Sequence, residues 1–197
     1  MNVNIMLFDN FETLDIFGPV EILFREKKHV LKYYSLNGGV VTSAQGTRIE
    51  TENIQTADNK GILVLPGGLG TRTLVNDKEF LMVLKTIGEQ ASFCLSICTG
   101  SALFAKAGLL DGKTATSNKK AFVWAMSTSN KVRWIQKARW VVDGKFYTSS
   151  GVSAGMDMAL GFIRDQYGSA SAKQIALDIE YVWNDDKDED IFATVVN

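Results

Sequence analysis

The run Ala91-Ser92-Phe93-Cys94-Leu95-Ser96-Ile97-Cys98-Thr99-Gly100-Ser101 constrains the fold most, because an apolar strand-like stretch stops at a cysteine and a small-residue helix-like stretch begins immediately after it. A strand that turns into a helix at one residue pushes that residue's side chain out of the sheet. This is the geometry of a nucleophile elbow, in which small neighbours permit the strained turn and the next backbone N–H joins an oxyanion hole. Cys98 is thereby a candidate nucleophile, expected in an unfavourable region of φ/ψ space. The alternative, from the residues alone, is a small buried hydrophobe, the usual state of a free cysteine.

The rest of the chain repeats the unit strand, loop, helix. Apolar runs at 3–8 and 61–65 read as buried strands, 92–97 leads into the elbow, and 31–36, 40–43 and 47–51 read as short strands around glycine turns. Helical periodicity covers 15–28, 77–90, 99–107 closed by Gly108, a segment opening at 150–155 and running to about 166, and a last helix over 170–183. Residues 140–148 read as a hairpin about Asp143-Gly144. Parallel neighbours need crossover connections, so this alternation predicts an α/β fold: a mostly parallel sheet with helices on both faces. Ligands in such sheets sit at the carboxyl ends of the strands. Three loops leave those ends: 9–14, 66–70 and the elbow.

At 197 residues, with 46% hydrophobic and 22% charged residues, the chain suits one domain, taken as residues 1–184. The acidic run at 185–190 reads as the start of a solvated tail over 185–197, since like charges repel and stay wet. No long apolar run, signal-type segment or arginine-rich leader is present, so a cytoplasmic location without membrane contact is expected. Cys94 and Cys98 lie along one chain direction and are poorly placed to bridge, and one histidine with two cysteines is not a usual metal ligand set. The basic and aromatic run at 131–140 reads as a strand with a charged outer face rather than a nucleic-acid surface, given a net charge of −1. His29 reads as an exposed helix end. Asp15, from the residues alone, reads as the N-cap of a helix beginning near Ile16.

Four segments in order, Leu14-Asp15-Ile16-Phe17-Gly18-Pro19-Val20-Glu21, Leu65-Pro66-Gly67-Gly68, Ser96-Ile97-Cys98-Thr99-Gly100-Ser101 and Ser149-Ser150-Gly151-Val152-Ser153-Ala154-Gly155, resemble the ThiJ/PfpI superfamily. The Asp-x-x-Gly-Pro-x-Glu segment and the Cys-Thr-Gly elbow are most similar to its isonitrile hydratase branch and to the ligand-like domain of certain AraC-type regulators. A regulator's helix-turn-helix is not expected in the residues after the last helix. The resemblance implies a flavodoxin-like three-layer sandwich, usually a homodimer. It also implies that Cys98 is the nucleophile, that Asp15 is the acid beside it, that Thr99 helps to orient water, and that Gly67, Gly68, Thr99 and Gly100 form an oxyanion and substrate pocket.

One departure limits the chemistry. Asn118 stands where many relatives carry a histidine, and Thr99 follows the cysteine where peptidase-like relatives have a histidine, so a Cys-His dyad has no evident base and peptidase activity is not expected. The activity implied is hydration of a small isonitrile to an N-substituted formamide, without metal or organic cofactor and without a part for Asn118. The alternatives are glyoxalase or deglycase chemistry on dicarbonyls, or redox and stress sensing through oxidation of Cys98. A thiol at a helix N-terminus is expected below its ordinary value of about 8.5, and a carboxyl beside it above the usual carboxylate range.

Overall fold

The computed structural model describes residues 1–194; the last three residues of the expected tail, 195–197, lie outside the described residues. The first unit runs from β1 (Asn2–Met6) through α1 (Thr13–Arg25) to β2 (Val30–Ser35), followed by β3 (Gly39–Thr42) and β4 (Arg48–Asn53). The second runs from β5 (Ile62–Leu65) through α2 (Thr71–Leu74) and α3 (Lys78–Gln90) to β6 (Phe93–Ser96) and α4 (Gly100–Lys106). Then come β7 (Thr114–Ala115), α5 (Phe122–Ser127), β8 (Arg133–Trp134), β9 (Trp140–Asp143), β10 (Phe146–Ser149), α6 (Ala154–Tyr167) and α7 (Ser169–Asp178).

Eight strands form one sheet in the order β3-β4-β2-β1-β5-β6-β10-β9, with β7 and β8 paired apart from it. The six central strands are parallel, and only the edges β3 and β9 run antiparallel. The central strands β1, β5 and β6 are buried on both sides, which is why they read as continuous apolar runs rather than alternating ones. From β1 the chain steps one way along the sheet to β2, and from β5 it steps the other way to β6 and β10. Right-handed crossovers in opposite directions put their helices on opposite faces. α1, α6 and α7 accordingly pack together, and α2, α3, α4 and α5 form the other layer. The fold is the flavodoxin-like three-layer α/β sandwich, and its topological switch point lies between β1 and β5.

Close approach of backbone elements brings the loops together at that point. A side-chain carbon at Gly18 would meet Met156 Cγ at 2.6 Å, and one at Gly155 would lie 3.3 Å from Pro19 Cγ, so α1 and α6 approach through glycines. The loop after β1 is stitched to the loop after β5 by a bridge between Phe11 and Gly68 and by Glu12 N–H donating to the Gly67 carbonyl at 2.9 Å.

Four local expectations are corrected. α1 begins at Thr13 with Glu12 in the N-cap position, so Asp15 lies inside the first turn and its side chain points away from capping. The last helix stops at Asp178, because Ile179 closes it and Glu180 takes a left-handed φ of 52°. The run 131–140 contributes only β8 and the first residue of β9 to strands. His29 is buried: Nδ1 lies 2.8 Å from the Leu23 carbonyl and Nε2 2.8 Å from the Tyr167 hydroxyl, tying the end of α1 to α6. Burial holds that imidazole below its ordinary pKa.

The acidic run is also not uniformly solvated. Asp190 is 4% exposed and lies 3.7 Å from Arg139 and 4.0 Å from Lys119, while Arg139 and Trp140 N–H groups donate to the Lys187 carbonyl. Arg139 in turn grips Asp157, with Nε 2.7 Å from Oδ2, and the other Asp157 oxygen accepts from the Tyr181 hydroxyl and the Asn184 N–H at 3.0 Å each. Arginine cannot discard its charge, so removing its anion leaves a buried cation short of a partner. Asp157→Ala is therefore expected to destabilise the protein by about 3 kcal/mol, read as a lower urea midpoint at unchanged m-value. A loss under about 1 kcal/mol would show that the cluster does not hold the C-terminal segment in place.

Candidate active site

Cys98 follows β6 by two residues and has a left-handed φ of 56°. For a non-glycine residue such a conformation costs about 1–3 kcal/mol and survives only where the surroundings over-determine it. Here they do: Cys98 N–H donates to the Ser150 carbonyl at 3.2 Å, and the Cys98 carbonyl accepts from the hydroxyls of Ser101 at 3.1 Å and Ser117 at 3.0 Å. Val152, on the loop after β10, is a second strained residue with φ 46°. For a β-branched side chain that is a true outlier. Its backbone N–H is directed at the Cys98 sulfur.

The sulfur collects three donors: the backbone N–H groups of Thr99 and Val152 and the side chain of Asn118. Asn118 Oδ1 already accepts the Ala121 N–H at 3.0 Å, which leaves its Nδ2 for the sulfur. Sequence alone assigned Asn118 no part in the reaction; the fold brings its amide to the Cys98 sulfur. A neutral amide cannot take a proton as histidine would, but it can donate to a thiolate.

Asp15 is fully buried beside the thiol. Its Oδ2 accepts the Gly67 N–H at 2.8 Å, and among the described residues Oδ1 has no regular hydrogen-bond partner. The Cys98 thiol interacts with the carboxyl as a weak donor. Burial pushes the Asp15 carboxyl up to about 7; the Gly67 N–H pulls against this, and the neighbouring Glu12 adds to it.

The expectation of a lowered Cys98 pKa is reversed. Burial pushes the thiol well above its ordinary value and the Asp15 carboxylate pushes it further, more than the three donors offset. The dipole invoked from sequence is weak because α4 has only seven residues. Above about pH 7 the pair holds a single proton, so a thiolate there requires Asp15 to take it. Cys94, fully buried in β6, is pushed up to about 12 by burial, against the pull of the Lys145 charge.

The four small pocket residues divide by role. Gly67 N–H is engaged by Asp15, Gly100 N–H by the Ile97 carbonyl at 2.9 Å, and Gly68 N–H by Thr99 Oγ1 at 3.0 Å. Of the four, Thr99 is the one whose N–H is directed at the sulfur. Gly67 and Gly100 are required by space instead. A side-chain carbon at Gly67 would lie 2.5 Å from the Thr99 nitrogen, and one at Gly100 would lie 2.7 Å from the Leu65 carbonyl oxygen. The Thr99 hydroxyl is held by Gly68 and by Thr71 Oγ1 at 3.1 Å.

Above the sulfur lies a cavity of about 190 Å³ lined by Glu12, Leu69, Arg72, Asn118 and Val152 among others. A second cavity of about 230 Å³, reaching Phe192, shares the Asn118 and Val152 walls. Among the described residues, no three His, Cys, Asp or Glu side chains cluster as a metal site would require, and no helix is long and apolar enough to cross a membrane. His29 touches none of these residues. Val152, Asn118 and Arg72 were not singled out from sequence as site residues, although Val152 lies in one of the quoted motifs.

The arrangement has counterparts among known proteins. Isonitrile hydratase of Pseudomonas putida is 29% identical over 186 residues, covering 92% of this chain and 78% of that protein. The HTH-type transcriptional regulator GbdR of Pseudomonas aeruginosa is 27% identical over 177 residues, where 85% of this chain corresponds to 47% of the regulator. The crystal structure of a ThiJ/PfpI family protein from Pseudomonas syringae matches with a TM-score of 0.80 at 26% identity, covering 91% of this chain and 74% of that chain. With the DJ-1/PfpI family model matching residues 1–165, across the strands, the elbow and the loops that meet it, this chain belongs to the DJ-1/PfpI family.

Proposed function

We propose that the chain is a cysteine-dependent hydratase that converts a small isonitrile to its N-substituted formamide. The observation that carries this reading is the buried Cys98–Asp15 pair: a thiol raised by burial beside a carboxyl whose pKa is about 7. A general base works best with a pKa near the operating pH. Similarity to the Pseudomonas putida isonitrile hydratase over most of both chains supports the choice of substrate class.

In the proposed reaction the Asp15 carboxylate takes the Cys98 proton while sulfur forms a bond to the terminal carbon of R–N≡C. The proton is then delivered to that carbon, giving the thioimidate Cys–S–CH=N–R. Asp15, ionised again, takes a proton from water as the water oxygen adds to the same carbon, and passes that proton to the nitrogen, giving Cys–S–CH(OH)–NH–R. The C–S bond then breaks as the hydroxyl proton goes to sulfur, and R–NH–CHO leaves; one isonitrile and one water are consumed per formamide. Thr99 N–H, Val152 N–H and Asn118 Nδ2 stabilise the sulfur whenever it carries charge. We place the homodimer, implied by the family resemblance, and the cytoplasmic location with this proposal.

Incubation of the purified protein with a panel of alkyl and aryl isonitriles, with formamide measured by NMR, tests the reading. Cys98→Ala is expected to abolish turnover, and Asp15→Asn to lower kcat by about 10²–10⁴-fold through lost proton transfer. Equal rates for wild type and Cys98→Ala across the panel would discard the hydratase in favour of dicarbonyl chemistry or redox sensing.

Asp15 also makes stability depend on pH. Its folded pKa, about 7, lies above the ordinary value of 3.8, so its contribution is fully present below about pH 4 and is lost as pH rises through 7. At about 1.4 kcal/mol per pH unit, ionising it costs up to about 4 kcal/mol. Urea unfolding at pH 4 and pH 8 is expected to show wild type losing stability relative to Asp15→Asn over that interval. A parallel pH dependence in the two proteins would mean that Asp15 is not raised.

A further inference from the structure

We propose that Arg72 selects for a carboxylate on the substrate, so that the electrophile reaching Cys98 is a short anionic molecule; that it is an isonitrile acid rests on the hydratase reading above. Arg72 sits in α2 and lines the 190 Å³ cavity over Cys98. Its guanidinium carbon lies 3.4 Å from the centroid of the Trp124 ring. Stacking on an aromatic face holds the planar fork in one orientation and leaves its in-plane donors unobstructed.

Those donors have nothing to hold. Among the described residues the Arg72 guanidinium has no hydrogen-bond or ion-pair partner, and besides partial burial the charge it senses is that of Cys98. The carboxylate on the same cavity wall is Glu12, and it does not pair with Arg72; its Oε1 accepts the Gln45 amide at 2.9 Å. A cavity therefore contains a preorganised, unpaired guanidinium on its wall and a nucleophile at its base. Planar guanidinium groups match carboxylates through two parallel hydrogen bonds. At about 190 Å³ the cavity suits a small molecule with a few heavy atoms between its reactive carbon and its carboxylate. An isocyanoacetate-like acid meets both conditions.

A matched pair of alkylating reagents tests the selection without relying on hydratase activity. Iodoacetate and iodoacetamide are nearly the same size and differ in charge, and the extent of modification at the Cys98 peptide is read by mass spectrometry at low ionic strength. Buried Cys94 serves as an internal zero. Arg72→Gln is expected to lower the iodoacetate-to-iodoacetamide rate ratio about fivefold, the size of a solvent-exposed ion pair. Arg72→Lys should keep most of the ratio, Glu12→Gln should raise it, and added salt should compress it.

An equal fall with both reagents, or an unchanged ratio, overturns the proposal, because either result means that Arg72 does not read charge. A second measurement compares isocyanoacetate with its neutral methyl ester. Under the hydratase reading, Arg72→Gln should lower the acid-to-ester ratio of kcat/KM through KM. If neither compound is hydrated the hydratase reading falls, while the alkylation ratio still decides the role of Arg72.

Discussion

Everything at this site depends on one backbone conformation, the left-handed φ of Cys98. An ordinary extended residue there would continue β6 and bury the thiol in the sheet, as Cys94 is buried. An ordinary helical one would turn it into α4. The strained value places the sulfur beyond the strand ends, where three separate loops reach it, and the strain persists because bonds from Ser101, Ser117 and Ser150 hold both sides of the peptide. Two of those partners come from segments distant in the chain. The elbow is thus a product of the whole sheet rather than of its local sequence.

Given that conformation, the surrounding small residues follow from space. Gly67 must be bare because the elbow peptide passes within contact distance of it, and Gly151 because a side-chain carbon there would lie 2.1 Å from the Asn118 amide. Asp15 then reaches the thiol because the loop after β1 is fastened to the loop after β5, with the Gly67 peptide accepting from Glu12 and donating to Asp15. One residue, through its N–H and its carbonyl, sets the position and the proton affinity of the acid together. The hydrogen bond lowers the carboxyl while burial raises it, and burial dominates. That balance leaves the carboxyl titrating near neutrality, where it can both accept and return a proton.

Much of this architecture is legible in the sequence. Strands buried on both faces announce themselves as unbroken apolar runs, and the change from Phe93-Cys94-Leu95-Ser96 to Gly100-Ser101-Ala102 marks the elbow to within a residue. What is not legible depends on long-range pairing. Asn118 reads as a missing histidine until its amide is seen against the sulfur, and Val152 reads as ordinary until β10 pairs with β6 and brings its N–H to the elbow. The sign of the Cys98 shift fails for the same reason. Helix polarity can be read from a sequence, whereas desolvation is set by residues arriving from elsewhere. His29 followed a similar course: a charged neighbourhood in the chain conceals an imidazole enclosed by α1 and α6.

The acidic C-terminal run shows how composition misleads when charge is considered one residue at a time. Taken alone, Asp190 belongs in water. In the fold it meets Lys119 and Arg139, while Asp157 meets Arg139 from the other side, so two cations and two anions are buried as a neutral group. Neutrality over the cluster removes most of the penalty that a single buried charge would carry. Lys119, whose amine also donates to Thr116 Oγ1 at 2.9 Å and to the Ala138 carbonyl at 2.6 Å, is drawn down to about 8 because burial outweighs Asp190. The Asp190 carboxylate works against that burial and keeps the amine from falling further. Since Lys119 follows Asn118 directly, the same charge that holds the C-terminal segment also fixes the loop whose amide donates to the Cys98 sulfur.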